Sequence, residues 1–99
     1  MEKENENQKT YIGIDVSKQT IDVSILSHQG KQEYQQFENN LKDFRRMELW
    51  LVQHQFSYQS SLFCMEHTGL YTRELVSFLL QHQANVWMES ALHLKRSMG

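Results

Sequence analysis

Proline is absent from this 99-residue chain, cysteine occurs once and glycine four times. With no proline to interrupt them, helices and strands must be ended by caps and turn residues. A single cysteine, Cys64, excludes an internal disulfide and fits a reducing compartment, so the cytoplasm is the expected location. No apolar run is long enough to span a bilayer, and the first residues are polar rather than signal-like. An excess of basic charge is also missing: 10 Lys and Arg face 12 Asp and Glu, for a formal net charge of -2. That is not the balance of a stand-alone DNA-binding module. A nucleic-acid partner would have to find most of its phosphate contacts elsewhere in a longer protein.

What is present suffices for one small domain. Hydrophobic residues make up 39% of the chain and aromatics 11%, enough for a modest core. Residues 1–10 (MEKENENQKT) are charged, amide-rich and aperiodic, and are expected to form a disordered leader. Tyr11 to Val16 alternates, with Ile12, Ile14 and Val16 on one face and Tyr11, Gly13 and Asp15 on the other. That is the pattern of a strand with one buried face. Ser17-Lys18-Gln19 makes a turn, and Thr20 to Leu26 alternates again with Ile21, Val23 and Ile25 inward. Ser27 to Gly30 reads as a hairpin turn with Gly30 free to take positive φ. Lys31 to Glu38 is a polar edge strand anchored by Tyr34 and Phe37.

The period then changes. Asn40 can cap a helix to about His54, with Asp43 three residues on, and Leu41, Phe44, Met47 and Leu51 form its apolar stripe. Leu62 to Met65 is a continuous apolar run, read as a strand buried on both faces and ending at Glu66. Thr68 can cap a helix carrying Tyr71, Leu75, Phe78 and Leu79. A strand over Ala84 to Met88 follows, and Glu89 to Met98 looks like the start of another helix. Three hairpin-linked strands followed by strand-helix units make a mixed α/β sheet, its later strands joined by parallel crossovers.

Ligands in such sheets collect at the carboxyl ends of strands, where Asp15 and Glu66 both fall. Two carboxylates converging there suit a hard divalent cation, which takes oxygen ligands from acids, water and phosphate. Such ions can drive phosphodiester chemistry. The plainer alternative is a turn acid and a helix-favouring acid at the positive end of the next helix.

The stretch Tyr11-Ile-Gly-Ile-Asp-Val-Ser-Lys18, followed by Thr20-Ile-Asp-Val-Ser-Ile25, resembles the opening of insertion-sequence transposases of the one-ten family. Met65-Glu66-His67-Thr68-Gly69-Leu70-Tyr71 is similar to that family's second motif, an acid followed by Thr-Gly-x-Tyr. The resemblance covers about residues 11 to 99. It implies the N-terminal part of a ribonuclease H-like, RuvC-like domain carrying a DEDD set of metal-binding acids. Asp15 matches the first Asp and Glu66 the Glu. The two later Asp, and a nucleophilic Ser of a C-terminal domain, match nothing here, so the chain resembles a truncated front half. The implied cofactor is Mg2+ or Mn2+. The implied partners are DNA (transposon ends and target), further copies of the full-length chain and, as the family allows, a structured guide RNA. With two of four acids, the isolated chain is expected to cleave no DNA.

Lys18, just past Asp15, and the pair Lys95-Arg96 are the candidate phosphate contacts; a solvated turn lysine is the plainer reading of Lys18. His67 could touch metal or DNA, but no second His stands at ligand spacing. Cys64 reads as core packing. Two rival readings stand beside the transposase. Gly13-Ile-Asp15-Val-Ser-Lys18 resembles the phosphate loop of sugar kinases and actin-like ATPases. Those loops need a glycine where Ser17 stands, and none follows until Gly30. The other rival is a nucleic-acid-binding or assembly module that keeps the fold without the chemistry.

Overall fold

The computed structural model describes residues 10–27, 30, 32–66 and 70–89. The elements run β1 (Thr10–Val16), β2 (Thr20–Leu26), β3 (Gln32–Glu38), α1 (Leu41–Gln53), β4 (Ser61–Glu66), a 3-10 turn (Leu70–Thr72), α2 (Arg73–Gln81) and β5 (Asn85–Glu89). They form a five-stranded sheet in the order β3-β2-β1-β4-β5. β1 pairs antiparallel with β2 and β2 with β3, while β4 runs parallel to β1 and β5 parallel to β4. This is the predicted mixed sheet, with the meander at one side and the strand-helix units at the other.

Alternation decides the two faces. Ile12, Ile14, Ile21, Val23, Ile25, Phe37, Phe63 and Met65 point to one side and are at most 5% exposed. On that side they meet Phe44, Met47 and Leu51 of α1 and Leu75, Phe78 and Leu79 of α2 in one core. Burying each such side chain contributes about 1.5–3 kcal/mol before entropy is charged against it. The opposite face carries no helix among the described residues.

Caps set the helix ends. Asn40 Oδ1 accepts the Asp43 N–H at 2.9 Å, the predicted N-cap. Asp43 does not reach back to Asn40, as a capping box would have it; its Oδ2 instead accepts the Glu38 N–H at 2.7 Å. That bond, with Arg46 Nη1 donating to Oδ1 at 3.1 Å, holds the carboxyl below its usual range despite its burial. Both helices stop in one way. Gln55 (φ 63) and Gln83 (φ 60) take the left-handed conformation that glycine usually supplies, and Phe56 and Ala84 N–H groups turn back to Leu51 and Leu79 carbonyls at 3.1 and 3.0 Å.

Several expectations need correction. β1 begins at Thr10, inside the predicted leader, and β5 runs one residue later than predicted. Tyr34 is no core anchor: it stands three positions from Phe37, an odd spacing in a strand, so it lies on the opposite face, 61% exposed. Leu41 is exposed in the first helical turn. β4 is fully buried on one face only; Leu62 and Cys64 are half-buried on the other. Tyr71 is 48% exposed because the 3-10 turn shifts it out of phase with Leu75. The helix begins after Thr72, whose side chain makes no cap bond to it. Thr68, the leader's first nine residues and the predicted helix from Glu89 onward, beyond Glu89 itself, lie outside the described residues.

Candidate active site on the open sheet face

The open face is a grid set by the pairing register. Gly13 sits between Ser24 of β2 and Cys64 of β4, with Trp87 beyond Cys64 and Tyr34 beyond Ser24. One row further along, Asp15 stands opposite Asp22. Glu66 lies one step past Ile14↔Met65, the last paired residues of β1 and β4, so it falls in the same row as Asp15 on the neighbouring strand. Glu89 of β5 is in register with Glu66. The carboxyl ends of β1, β4 and β5 therefore form a row of acidic positions, extended across β2 by Asp22.

Asp15, Asp22 and Glu66 line one open cleft of about 760 Å³, together with Gly13, Ser24, Tyr34 and Cys64 among others. Its floor is Gly13. A Cβ there would meet no atom within 4 Å, so close packing at that atom does not demand glycine; the missing side chain keeps the cleft clear. Asp15 and Glu66 make no side-chain hydrogen bond or ion pair among the described residues. Asp22 is occupied. Its Oδ1 accepts the Tyr34 hydroxyl at 2.7 Å and Gln36 Nε2 at 2.8 Å. Like charges facing each other across strands are destabilising, and these two donors draw one of the pair off. Donating to Asp22 raises the Tyr34 hydroxyl pKa, with burial and the charges of Asp22 and Asp15 adding to it. Burial likewise raises the Cys64 thiol, which keeps it protonated and a weak nucleophile.

The structure thus brings Asp15 and Glu66 together on one face and at one end of adjacent strands. No group of three or more His, Cys, Asp and Glu placed to hold a metal ion occurs among the described residues. Lys18 is exposed in the β1–β2 turn, beside the cleft rather than in it. Lys95, Arg96 and His67 lie outside the described residues. Cys64, read as core, is instead half-buried in the cleft wall. Sequence reasoning missed Asp22 and Tyr34 as cleft residues. The period-two phase of β2 placed Asp22 outward, but only the hairpin register sets it against Asp15. The turn after β1 is closed by Ser17: its N–H donates to the Thr20 carbonyl at 2.9 Å, and its hydroxyl bonds to the same residue. It has no glycine to admit a phosphate to the backbone, as the kinase reading would need. No helix among the described residues is long and apolar enough to cross a membrane.

A family model described as Transposase, for DEDD enzymes of the one-ten insertion-sequence group, matches residues 12–99. The pilin gene-inverting proteins of Moraxella bovis and Moraxella lacunata are each 31% identical over 86 residues, which is 87% of this chain and 26% of theirs. The chain spans about a quarter of the length of these curated relatives. A solved structure from Bacteroides thetaiotaomicron, described as having an actin-like ATPase fold and unknown function, aligns with a TM-score of 0.64 at 16% identity. That alignment covers 81% of this chain and 32% of the other, and the likeness is one of fold. The five-stranded mixed sheet and its two helices are compatible with the ribonuclease H-like architecture expected of the matched family.

Proposed function

The chain belongs to the DEDD transposase family of the one-ten insertion sequences, and from that premise we propose that Asp15 and Glu66 are the first two metal-binding acids of a centre that breaks and joins DNA phosphodiester bonds. The observation that carries this reading is the shared cleft: two carboxylates from adjacent parallel strands, both without a hydrogen-bond or ion-pair partner among the described residues, at the same end of the same face. The donor set fits a hard divalent ion. Mg2+ or Mn2+ takes carboxylate oxygens and fills the rest of its shell with water and phosphate oxygens, so two acids supply part of a site. Such an ion, when bound, activates the attacking oxygen and stabilises the leaving one.

This chain's own contribution is placement. β1 and β4 fix the two acids on neighbouring strands, Gly13 leaves room for a DNA strand beside them, and Tyr34 and Gln36 hold Asp22 aside. In the full-length protein the remaining acids, the DNA ends and target, further copies of the chain and a structured guide RNA would complete the machinery. With two of the family's four acids, the 99-residue chain by itself is expected to cleave no DNA.

Thermal unfolding with and without Mg2+ or Mn2+ tests the reading. A cation that binds only the native state raises the melting temperature. The rise is expected for the natural chain and is lost in Asp15→Asn and in Glu66→Gln, each of which leaves the metal-free fold as stable or slightly firmer. An equal rise in both variants would overturn the assignment. Metal-dependent nicking of supercoiled DNA by the pure chain, abolished by Asp15→Ala, would contradict its inactivity.

A further inference from the structure

A second cavity, of about 480 Å³, opens where the β1–β2 turn meets the start of α2; it is lined by Lys18, Asn39, Tyr71, Arg73, Glu74 and Ser77. Asn39 builds it. Its Nδ2 donates to the Ser17 carbonyl at 2.9 Å and to the Tyr71 carbonyl at 3.0 Å, and its N–H donates to the Gln19 carbonyl at 2.8 Å. One side chain therefore clips the turn after β1 to the 3-10 turn before α2, and sets Lys18 and Arg73 on the wall of one cavity. Neither cation has a carboxylate within ion-pair distance among the described residues, although Glu74 lines the same cavity. Two cations without an ion pair among the described residues share this wall in a chain whose net charge is -2. Asn39 Oδ1 is buried and makes no hydrogen bond among the described residues. The amide is oriented by the two carbonyls that its nitrogen serves.

We infer that this cavity is a subsite for a DNA backbone phosphate, gripped by Lys18 and Arg73. A phosphodiester offers the acceptor oxygens that both donors need. Lys18 follows Asp15 by three residues, in the turn that leaves β1. Glu74 opposes the anion and limits the affinity, which makes the contact weak and salt-sensitive. The inference rests on the reading that the chain acts on DNA, but not on the metal.

Fluorescence anisotropy of the 99-residue chain with a short labelled DNA duplex, in chelator and across a salt series, tests it. Lys18→Gln and Arg73→Gln are each expected to weaken binding by up to about fivefold. Each lowers the magnitude of the salt slope by about 0.9, the loss of one phosphate contact. Glu74→Gln tightens binding by up to about fivefold. Lys42→Gln and Arg45→Gln, exposed on α1, make the same charge change away from the cavity and leave the salt slope unchanged. All these positions are on the surface, and circular dichroism confirms that the variants fold. Equal losses in the α1 variants, an unaltered slope in Lys18→Gln and Arg73→Gln, or no binding even at low salt would overturn the subsite. Losses seen with an RNA duplex and not with DNA would overturn its assignment to DNA. Because chelator removes divalent ions, failure here leaves the melting-temperature test of Asp15 and Glu66 standing, and the reverse also holds.

Discussion

The same strands present two faces with opposite demands. On the covered face Ile12, Ile14, Phe63 and Met65 lie under α1 and α2 and are nearly inaccessible. On the open face their immediate neighbours are Gly13, Asp15, Cys64 and Glu66, lining a cleft. Chain connectivity gives each strand both jobs at once. A one-residue slip would exchange them, putting carboxylates into the core and isoleucines into the cleft. The covered face fixes the register, and the register places the acids. The open face can then carry groups that contribute nothing to stability.

Substitutions of adjacent residues should break this symmetry most sharply. Phe63→Ala is expected to cost about 3–5 kcal/mol, through lost burial and the cavity left behind. Cys64→Ala, the next residue on the other face, should cost about 1 kcal/mol or less. Urea denaturation of both variants measures the difference; equal costs would mean that the open face is a second core.

A smaller effect lies at the edge of the covered face. Asn40→Ala removes the cap of α1 and should cost about 1 kcal/mol. Asp43, beside it, sets a pH dependence. Its carboxyl is held below the usual range chiefly by the Glu38 N–H, so its folded pKa lies under its unfolded one. Its contribution is complete above the unfolded pKa and is lost as pH falls through the folded one. Asp43→Asn should therefore be less stable near neutrality and lose less on acidification than the natural chain, as thermal melts across the acid range will show.

How much of this was legible in the sequence depends on phase. Strict alternation in β1 and β2 revealed both faces and both acidic positions, Asp15 and Asp22. The four-residue run in β4 carries no phase, so Leu62 and Cys64 were assigned to a buried face; only parallel pairing with β1 shows which side the helices cover. Tyr34 and Phe37, three apart, could never have shared a face in a strand. Tyr71 kept a helical spacing that the 3-10 turn breaks. Arg73 gave no signal at all, because Lys18, which lines the same cavity, is far off in sequence and the two segments are clipped together through Asn39.

Helix ends offer a gain rather than a loss. Gln55→Gly and Gln83→Gly relieve a left-handed conformation that costs side-chain-bearing residues, and each should stabilise by about 0.5 kcal/mol after glycine's greater freedom in the unfolded chain is counted. Shifts in urea midpoint test this, and a loss at either site would show that the glutamine side chain holds the turn. Smallest in stability, and most informative about the open face, is Gly13→Val. It should change the unfolding free energy by less than about 0.5 kcal/mol, since a Cβ at this position meets no atom within 4 Å and the position lies on an open cleft. By filling the cleft floor it should nonetheless reduce the stabilisation by Mg2+.

The central claim is that Asp15 and Glu66 hold one divalent site. Mn2+ titration followed by amide NMR tests it most directly, because paramagnetic broadening falls steeply with distance from the ion. Signals of Asp15 and Glu66 should broaden together and first, with the ends of β1 and β4 following, and Asp15→Asn should abolish the effect at both. Broadening centred on Glu33, Glu48 or Glu74, or at one acid without the other, would contradict it.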